Sequence, residues 1–156
     1  MDENIRIKIE HEISRIEKLI SDAKPLLDLC KNKEPDFIEI TAAAQILHSF
    51  YNGIEGIVTL YFKNIGEKLP NDKKWHKSLF EMMFGKNTKG KNIFCNELKE
   101  SLNEYLLLRH FIRHSYSSEF KWNEMKYSVN SIEEIWTKIK ADLEELMNNT
   151  CEKKTI

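Results

Sequence analysis

The chain has 156 residues, enough for one domain with a real core. Hydrophobic residues make up 41% and charged residues 31%, while Gly and Pro number only five and three, which favours an all-helical chain. A net charge of −1 excludes a global field that steers the protein to nucleic acid or membrane, so any attraction for polyanions has to be local.

Ile5, Ile9, Ile13, Ile16, Ile20, Ala23 and Leu27 recur every three or four residues and predict a long amphipathic helix over about 3–31. Pro25 is expected to kink it, or Ser21-Asp22 to cap a second segment. KNKEPD then breaks the pattern. Asp36 is placed to N-cap a second helix running to Asn64, with Ile40, Ala43, Ile46, Leu47, Phe50, Ile54, Ile57, Val58 and Tyr61 on its apolar side. Gly53 and Gly56 fall inside that helix and cost about 1 kcal/mol each relative to Ala. Close approach of a neighbouring helix is the expected reason. GEKLPNDKKWH reads as a loop, followed by a short helix over about 74–84 and a second loop, GKNTKGKN. A fourth helix starts near Asn96 and runs through ELKESLNEYLLLRHFIRHSY, and SYSSEFKW reads as its end and a turn. Ser131 and Glu134 form an S-x-x-E capping box expected to open the last helix, striped by Ile132, Ile135, Trp136, Ile139, Leu143, Leu146 and Met147. Residues 1–150 are expected to form a single domain, and 151–156 a frayed tail.

Cys30, Cys95 and Cys151 are far apart and form no CxxC or Cys/His cluster with zinc spacing, so no structural metal or cofactor is expected. Free thiols suit a reducing compartment, and the polar, charged N-terminus does not read as a signal peptide. No apolar run approaches bilayer length. A cytoplasmic protein without a membrane partner is the expectation.

Between residues 63 and 91, Lys63, Lys68, Lys73, Lys74, Lys77, Lys86, Lys89 and Lys91 outnumber Glu67, Asp72 and Glu81, and Trp75 and His76 lie among them. Lysine interleaved with aromatics suits a phosphate backbone, which makes Lys73, Lys74, Lys77, Lys86, Lys89 and Lys91 candidate RNA contacts. The alternative is a solvated loop that lysine keeps soluble.

The stretch RHFIRHSYSSEFKW, residues 109–122, holds two of the four arginines and two of the five histidines. Cations in the last turn of a helix interact well with its dipole, by roughly 0.3–1 kcal/mol each, so the cluster is open to a purely structural reading. The functional reading starts from geometry. Arg109, Arg113 and Tyr116 are spaced i, i+4, i+7 on one helix face, and His110 and His114 form a second i, i+4 pair. Arg109 and His114 are about 140° apart on a regular helix, so they converge only at a helix end or across a symmetric interface. Arginine supplies a permanent bidentate phosphate clamp and histidine a proton carrier near neutral pH. Metal-free RNA cleavage needs a base for the 2′-OH, a cation for the charged phosphorane and an acid for the leaving 5′ oxygen. No Asp/Glu cluster in the sequence suggests a two-metal site. Arg6 and His11 repeat the R-x4-H spacing, but in a strongly charged helix with Ile13 where a tyrosine would follow, and that match reads as accidental.

Arg109, His114 and Tyr116, as R-x4-H-x-Y, resemble the signature of HepT-like proteins of the HEPN superfamily. LHSFYNGIEGIV (47–58), LPNDKKWHKSLFEMM (69–83) and LNEYLLLRHFIRHSYSSEFKW (102–122) resemble segments of HepT-like ribonuclease toxins, in order and over nearly the whole chain. The resemblance implies an all-α, HEPN-like bundle of about five helices, two long and antiparallel with shorter ones added. It implies a homodimer with the motif helices facing across a cleft. It also implies a metal-independent endoribonuclease, the toxin of a type VII-like toxin–antitoxin pair. The implied partner is a minimal nucleotidyltransferase antitoxin that transfers AMP to the motif tyrosine. Carried over by position, Arg109 and His114 are catalytic and Tyr116 is the AMPylation target; His110 and Arg113 have no assigned role beyond a possible phosphate contact. Asn52 and Glu55 sit among apolar neighbours on the second helix, and Glu55 is expected to orient Arg109 or Arg113, the alternative being a solvated acid. Two other readings stay open: a non-catalytic nucleotide- or substrate-binding subunit of a nucleotidyltransferase, and a helical adaptor.

Overall fold

The first apolar stripe folds as one unbroken helix, α1, over Glu3–Asn32. The computed structural model describes residues 1–149, so the expected tail at 151–156 lies outside the described residues. Asp2 caps α1 by accepting from the amides of Asn4 and Ile5 at 2.9 and 3.2 Å. Pro25 sits inside without ending it, and Ser21-Asp22 caps nothing. Proline removes one backbone bond there, but Ala23 before it and Leu27 and Cys30 after it are all buried, so packing on both sides carries the helix through.

Helix α2 spans Phe37–Ile65. It opens with a reciprocal capping box: Glu39 N–H donates to Asp36 Oδ1 at 2.8 Å and Asp36 N–H donates to Glu39 Oε1 at 3.0 Å. It ends at Gly66, whose φ of 76° favours glycine. The amide of Asp2 donates to Asn64 Oδ1 at 2.9 Å, so the start of α1 meets the end of α2 and the two form an antiparallel hairpin. A Cβ on Gly53 would stand 2.8 Å from Ile16 Cγ1, so close approach of α1 accounts for that glycine. It does not account for Gly56, where an added Cβ meets nothing within 4 Å.

Helix α3 covers Trp75–Phe84. A 3₁₀ turn at Asn96–Leu98 leads into α4, Lys99–His114, and a second 3₁₀ turn at Ser117–Glu119 leads to α5, Trp122–Asn148. The capping box expected at Ser131 does not open α5. Ser131 lies inside the helix and donates its hydroxyl to the Tyr127 carbonyl. Nothing between Trp122 and Ser131 breaks a helix, and Trp122, Met125, Val129 and Ile132 continue the buried stripe at helical spacing. The local S-x-x-E signal loses to that packing, and α5 becomes a third long helix.

The core centres on α2. Phe50 is fully buried, with its ring 5.2 Å from Tyr105 on α4 and 6.2 Å from Trp136 on α5. Tyr105 donates its hydroxyl to the Ser128 carbonyl at 2.6 Å, tying α4 to α5. Lys24 and Lys31 both reach Glu133 at 3.3 Å and join α1 to α5. Among the described residues there is no strand, and no helix is long and apolar enough to cross a membrane.

Candidate functional site

Helix α2 is apolar along most of its length but carries a polar seam. His48, Asn52, Glu55 and Thr59 follow one another at spacings of four, three and four, which places them on one face. Helix α4 packs against α2 and brings Arg109 to this seam. Arg109 Nε donates to Asn52 Oδ1 at 2.8 Å and lies 3.3 Å from Glu55 Oε1. Both contacts use Nε, which leaves the two Nη groups without a hydrogen-bond partner among the described residues. The Asn52 amide nitrogen approaches His48 Nε2 at 2.9 Å; since Asn52 Oδ1 accepts from Arg109, the amide nitrogen donates and His48 Nε2 accepts.

Glu55 is only 4% exposed and Arg109 only 8%, so Glu55 is not a solvated acid. Its second oxygen lies 2.7 Å from Nδ1 of His76, in the first turn of α3. Burial pushes the Glu55 carboxyl up to about 7, with Arg109 pulling the other way. Burial, then Arg109 and Arg113, push His76 down to about 4. The same three causes, in the same order, lower His48. A single hydrogen therefore lies between Glu55 and His76 near neutral pH. Either a carboxylic O–H donates to bare Nδ1, or Nδ1–H donates to a carboxylate.

A cavity of about 480 Å³ opens beside this network, lined by Glu12, Asn52, Glu55, Gly56, Thr59, Leu60, Trp75 and Arg109. A second, of about 420 Å³ between α1 and α2, shares Glu12 and Asn52 with it.

The remaining sequence-derived candidates are spread more widely. His114 closes α4, is exposed, and lies with its ring 4.6 Å from that of His110, one turn earlier. It is not among the residues that line the cavity of Arg109. Arg113 is exposed, yet its field reaches both His48 and His76. Tyr116 is 80% exposed. Its backbone is nevertheless fixed: its N–H donates to Glu119 Oε2 at 3.0 Å and its carbonyl accepts from Glu119 N–H at 2.8 Å. Lys73, Lys74 and Lys77 are exposed around Trp75, while Lys86, Lys89 and Lys91 are exposed in the loop after α3. Lys86 lines a cavity with Phe62 and Glu67, and Lys91 another with Cys95 and Asp142, so the six lysines do not surround one site.

His48 was not among the sequence-derived candidates, and His76 and Trp75 appeared only as members of a basic segment. The seam of His48, Asn52, Glu55 and Thr59 was readable as polar residues at helical spacing in an apolar helix. The pairing of His76 with Glu55 spans 21 residues and carries no local signal.

The sequence model of the family described as HepT-like protein matches residues 42–150, which spans the polar seam, α3 and all of α4. The match covers more than half of the chain, and the chain belongs to that family. No curated protein and no solved structure gives a match.

Proposed function

We propose that this member of the HepT-like family is a metal-independent endoribonuclease. It is the toxin of a type VII-like toxin–antitoxin pair, acts as a homodimer, and is silenced by AMP transfer to Tyr116. The observation that carries the reading is the anchoring of Arg109. Asn52 and Glu55 hold Nε, so the Nη fork stays available beside the cavity, in the geometry that matches two phosphate oxygens. In the reaction His114 takes the 2′-OH proton and O2′ attacks phosphorus. The P–O5′ bond breaks, a proton passes to O5′, and the products are a 2′,3′-cyclic phosphate and a 5′-OH. Arg109 balances the charge on the phosphorane.

A second copy completes the site. That His114 does not line the Arg109 cavity supports a site in which the two groups meet across a two-fold interface. Leu107, 57% exposed, shares a face of α4 with His110 and His114 at i+3 and i+7. Its apolar surface suits coverage by the same face of a second copy. The exposed Tyr116 phenol, on a backbone locked by Glu119, is accessible to a nucleotidyltransferase antitoxin. The phenolate attacks the α-phosphorus of ATP and pyrophosphate leaves. The added AMP brings bulk and negative charge to a surface meant for RNA phosphates.

The test is cleavage of single-stranded RNA in EDTA. Arg109→Ala and His114→Ala are each expected to lose about 100-fold or more with unchanged circular dichroism. Tyr116→Phe keeps cutting but gains no AMP mass from the proposed nucleotidyltransferase antitoxin. Undiminished cutting by either alanine variant ends the catalytic assignment. The second reading, a non-catalytic nucleotide- or substrate-binding subunit of a nucleotidyltransferase, draws support from the separation of His114 from the Arg109 cavity. Nucleotide binding without RNA cleavage at any protein concentration selects it.

A further inference from the structure

We infer that Trp75 is a stacking platform for a nucleobase of single-stranded RNA, and that the cavity between α2 and the first turn of α3 is a base subsite beside Arg109. The inference rests on the ribonuclease reading only in naming RNA as the ligand.

Trp122 and Trp136 are 7% and 6% exposed, as core tryptophans are, whereas Trp75 is 38% exposed and lines the Arg109 cavity. An indole left outside the core exposes a large flat apolar surface. This one is held in place rather than loose. Asp72 accepts from Lys74 N–H at 2.8 Å through its side chain and from Trp75 N–H at 3.2 Å through its carbonyl. The His76 ring lies 3.4 Å from the indole, centre to centre, and the buried Glu55 fixes that ring in turn. The indole thus rests against His76, which Glu55 links to Arg109.

The rest of the cavity suits a base next to a phosphate. Its volume of about 480 Å³ falls in the range that holds small ring-bearing ligands. Gly56 forms part of its wall, and an added Cβ there meets nothing within 4 Å. No neighbouring helix among the described residues requires that glycine; its effect is to keep the wall recessed. Lys73, Lys74 and Lys77 are exposed on both sides of Trp75 in sequence. An aromatic surface among cations is how proteins bind single strands, because bases stack and phosphates pair with the charges. Stacking is tolerant of base identity, so the subsite contributes affinity and register next to the clamp of Arg109 rather than a strict sequence code.

The test uses a fluorescein-labelled, all-2′-deoxy oligonucleotide of mixed sequence, which lacks the 2′-OH and is not cut by the proposed route. Unlabelled oligonucleotide is expected to quench tryptophan emission in the wild type and not in Trp75→Phe, since the other two tryptophans are buried. By anisotropy, Trp75→Ala is expected to bind about 10-fold more weakly and Trp75→Phe within about 3-fold of wild type. Quenching that persists in Trp75→Phe, or wild-type affinity in Trp75→Ala, overturns the subsite. So does a loss of dimer in Trp75→Ala with oligonucleotide affinity unchanged, which makes Trp75 a subunit contact. RNA cleavage with the same KM in wild type and Trp75→Ala removes the subsite and leaves the ribonuclease. Quenching and the Trp75→Ala loss without any RNA cleavage keep the subsite and remove the ribonuclease.

Discussion

Gly53→Ala and Gly56→Ala, three positions apart in α2, are expected to move stability in opposite directions. Alanine is favoured over glycine inside a helix by about 0.8–1.0 kcal/mol. At Gly56 nothing lies within 4 Å of the added Cβ, so most of that gain appears, about 0.5–1 kcal/mol of stabilisation. At Gly53 the Cβ would stand 2.8 Å from Ile16 Cγ1 and 2.9 Å from Cδ1. Ile16 is buried, and an isoleucine in a helix has essentially one χ1 rotamer, so it does not swing aside without moving α1. Overpacking of this kind costs about 1–3 kcal/mol, which exceeds the propensity gain and leaves a net loss of up to about 2 kcal/mol. Urea denaturation at unchanged m-value reads both effects. Gly56→Ala also places a methyl group on the cavity wall, so the deoxy-oligonucleotide should bind it more weakly even as its midpoint rises. Gly53→Ala at or above wild-type stability refutes the account of helix approach. A stabilised Gly56→Ala with unchanged oligonucleotide affinity removes that wall from the binding site.

The pair of Glu55 and His76 gives a pH signature with opposite arms. Glu55 is raised from 4.5 to about 7, so its contribution is full below 4.5 and is lost as pH rises through 7. His76 is lowered from 6.5 to about 4, so its contribution is full above 6.5 and is lost as pH falls through 4. Between pH 4.5 and 6.5 the two arms largely offset. Relative to wild type, Glu55→Gln should gain stability with rising pH and His76→Asn should lose it; slopes of the same sign in denaturant titrations across that window contradict the pairing. Tyr51 is fully buried on α2 with a hydroxyl that has no partner among the described residues. Tyr51→Phe removes the unsatisfied group and is expected to raise stability by about 1 kcal/mol in thermal or urea melts; a clear loss would mean that the hydroxyl is satisfied.

Most of the fold was legible because its signals are local. Asp36 and Glu39 mark the start of α2, and the isoleucine stripe marks α1, before any tertiary contact is known. The start of α5 was misread where two local signals competed: S-x-x-E at Ser131 against an apolar stripe that already ran from Trp122. The glycines show a different limit. Both cost helix stability by the same amount, yet one is required by Ile16 and the other by nothing among the described residues. Only an open cavity separates the two cases, and a cavity has no sequence pattern.

The site follows the same division. That Asn52, Glu55 and Arg109 were worth naming came from polarity on apolar helices and from R-x4-H-x-Y. How they are arranged came from packing: α4 carries Arg109 onto the seam of α2, and α3 carries His76 to the far oxygen of Glu55. A buried carboxyl is costly, and replacing such networks by apolar side chains often leaves a protein as stable or more so. Here every polar contact of Glu55 is spent on fixing one guanidinium by its Nε and one imidazole by its Nδ1. A core built only for stability needs neither. The proposed site, which would present an Nη fork and a braced aromatic surface to single-stranded RNA, needs both, and with a net charge of −1 its attraction for a polyanion would rest on that local arrangement.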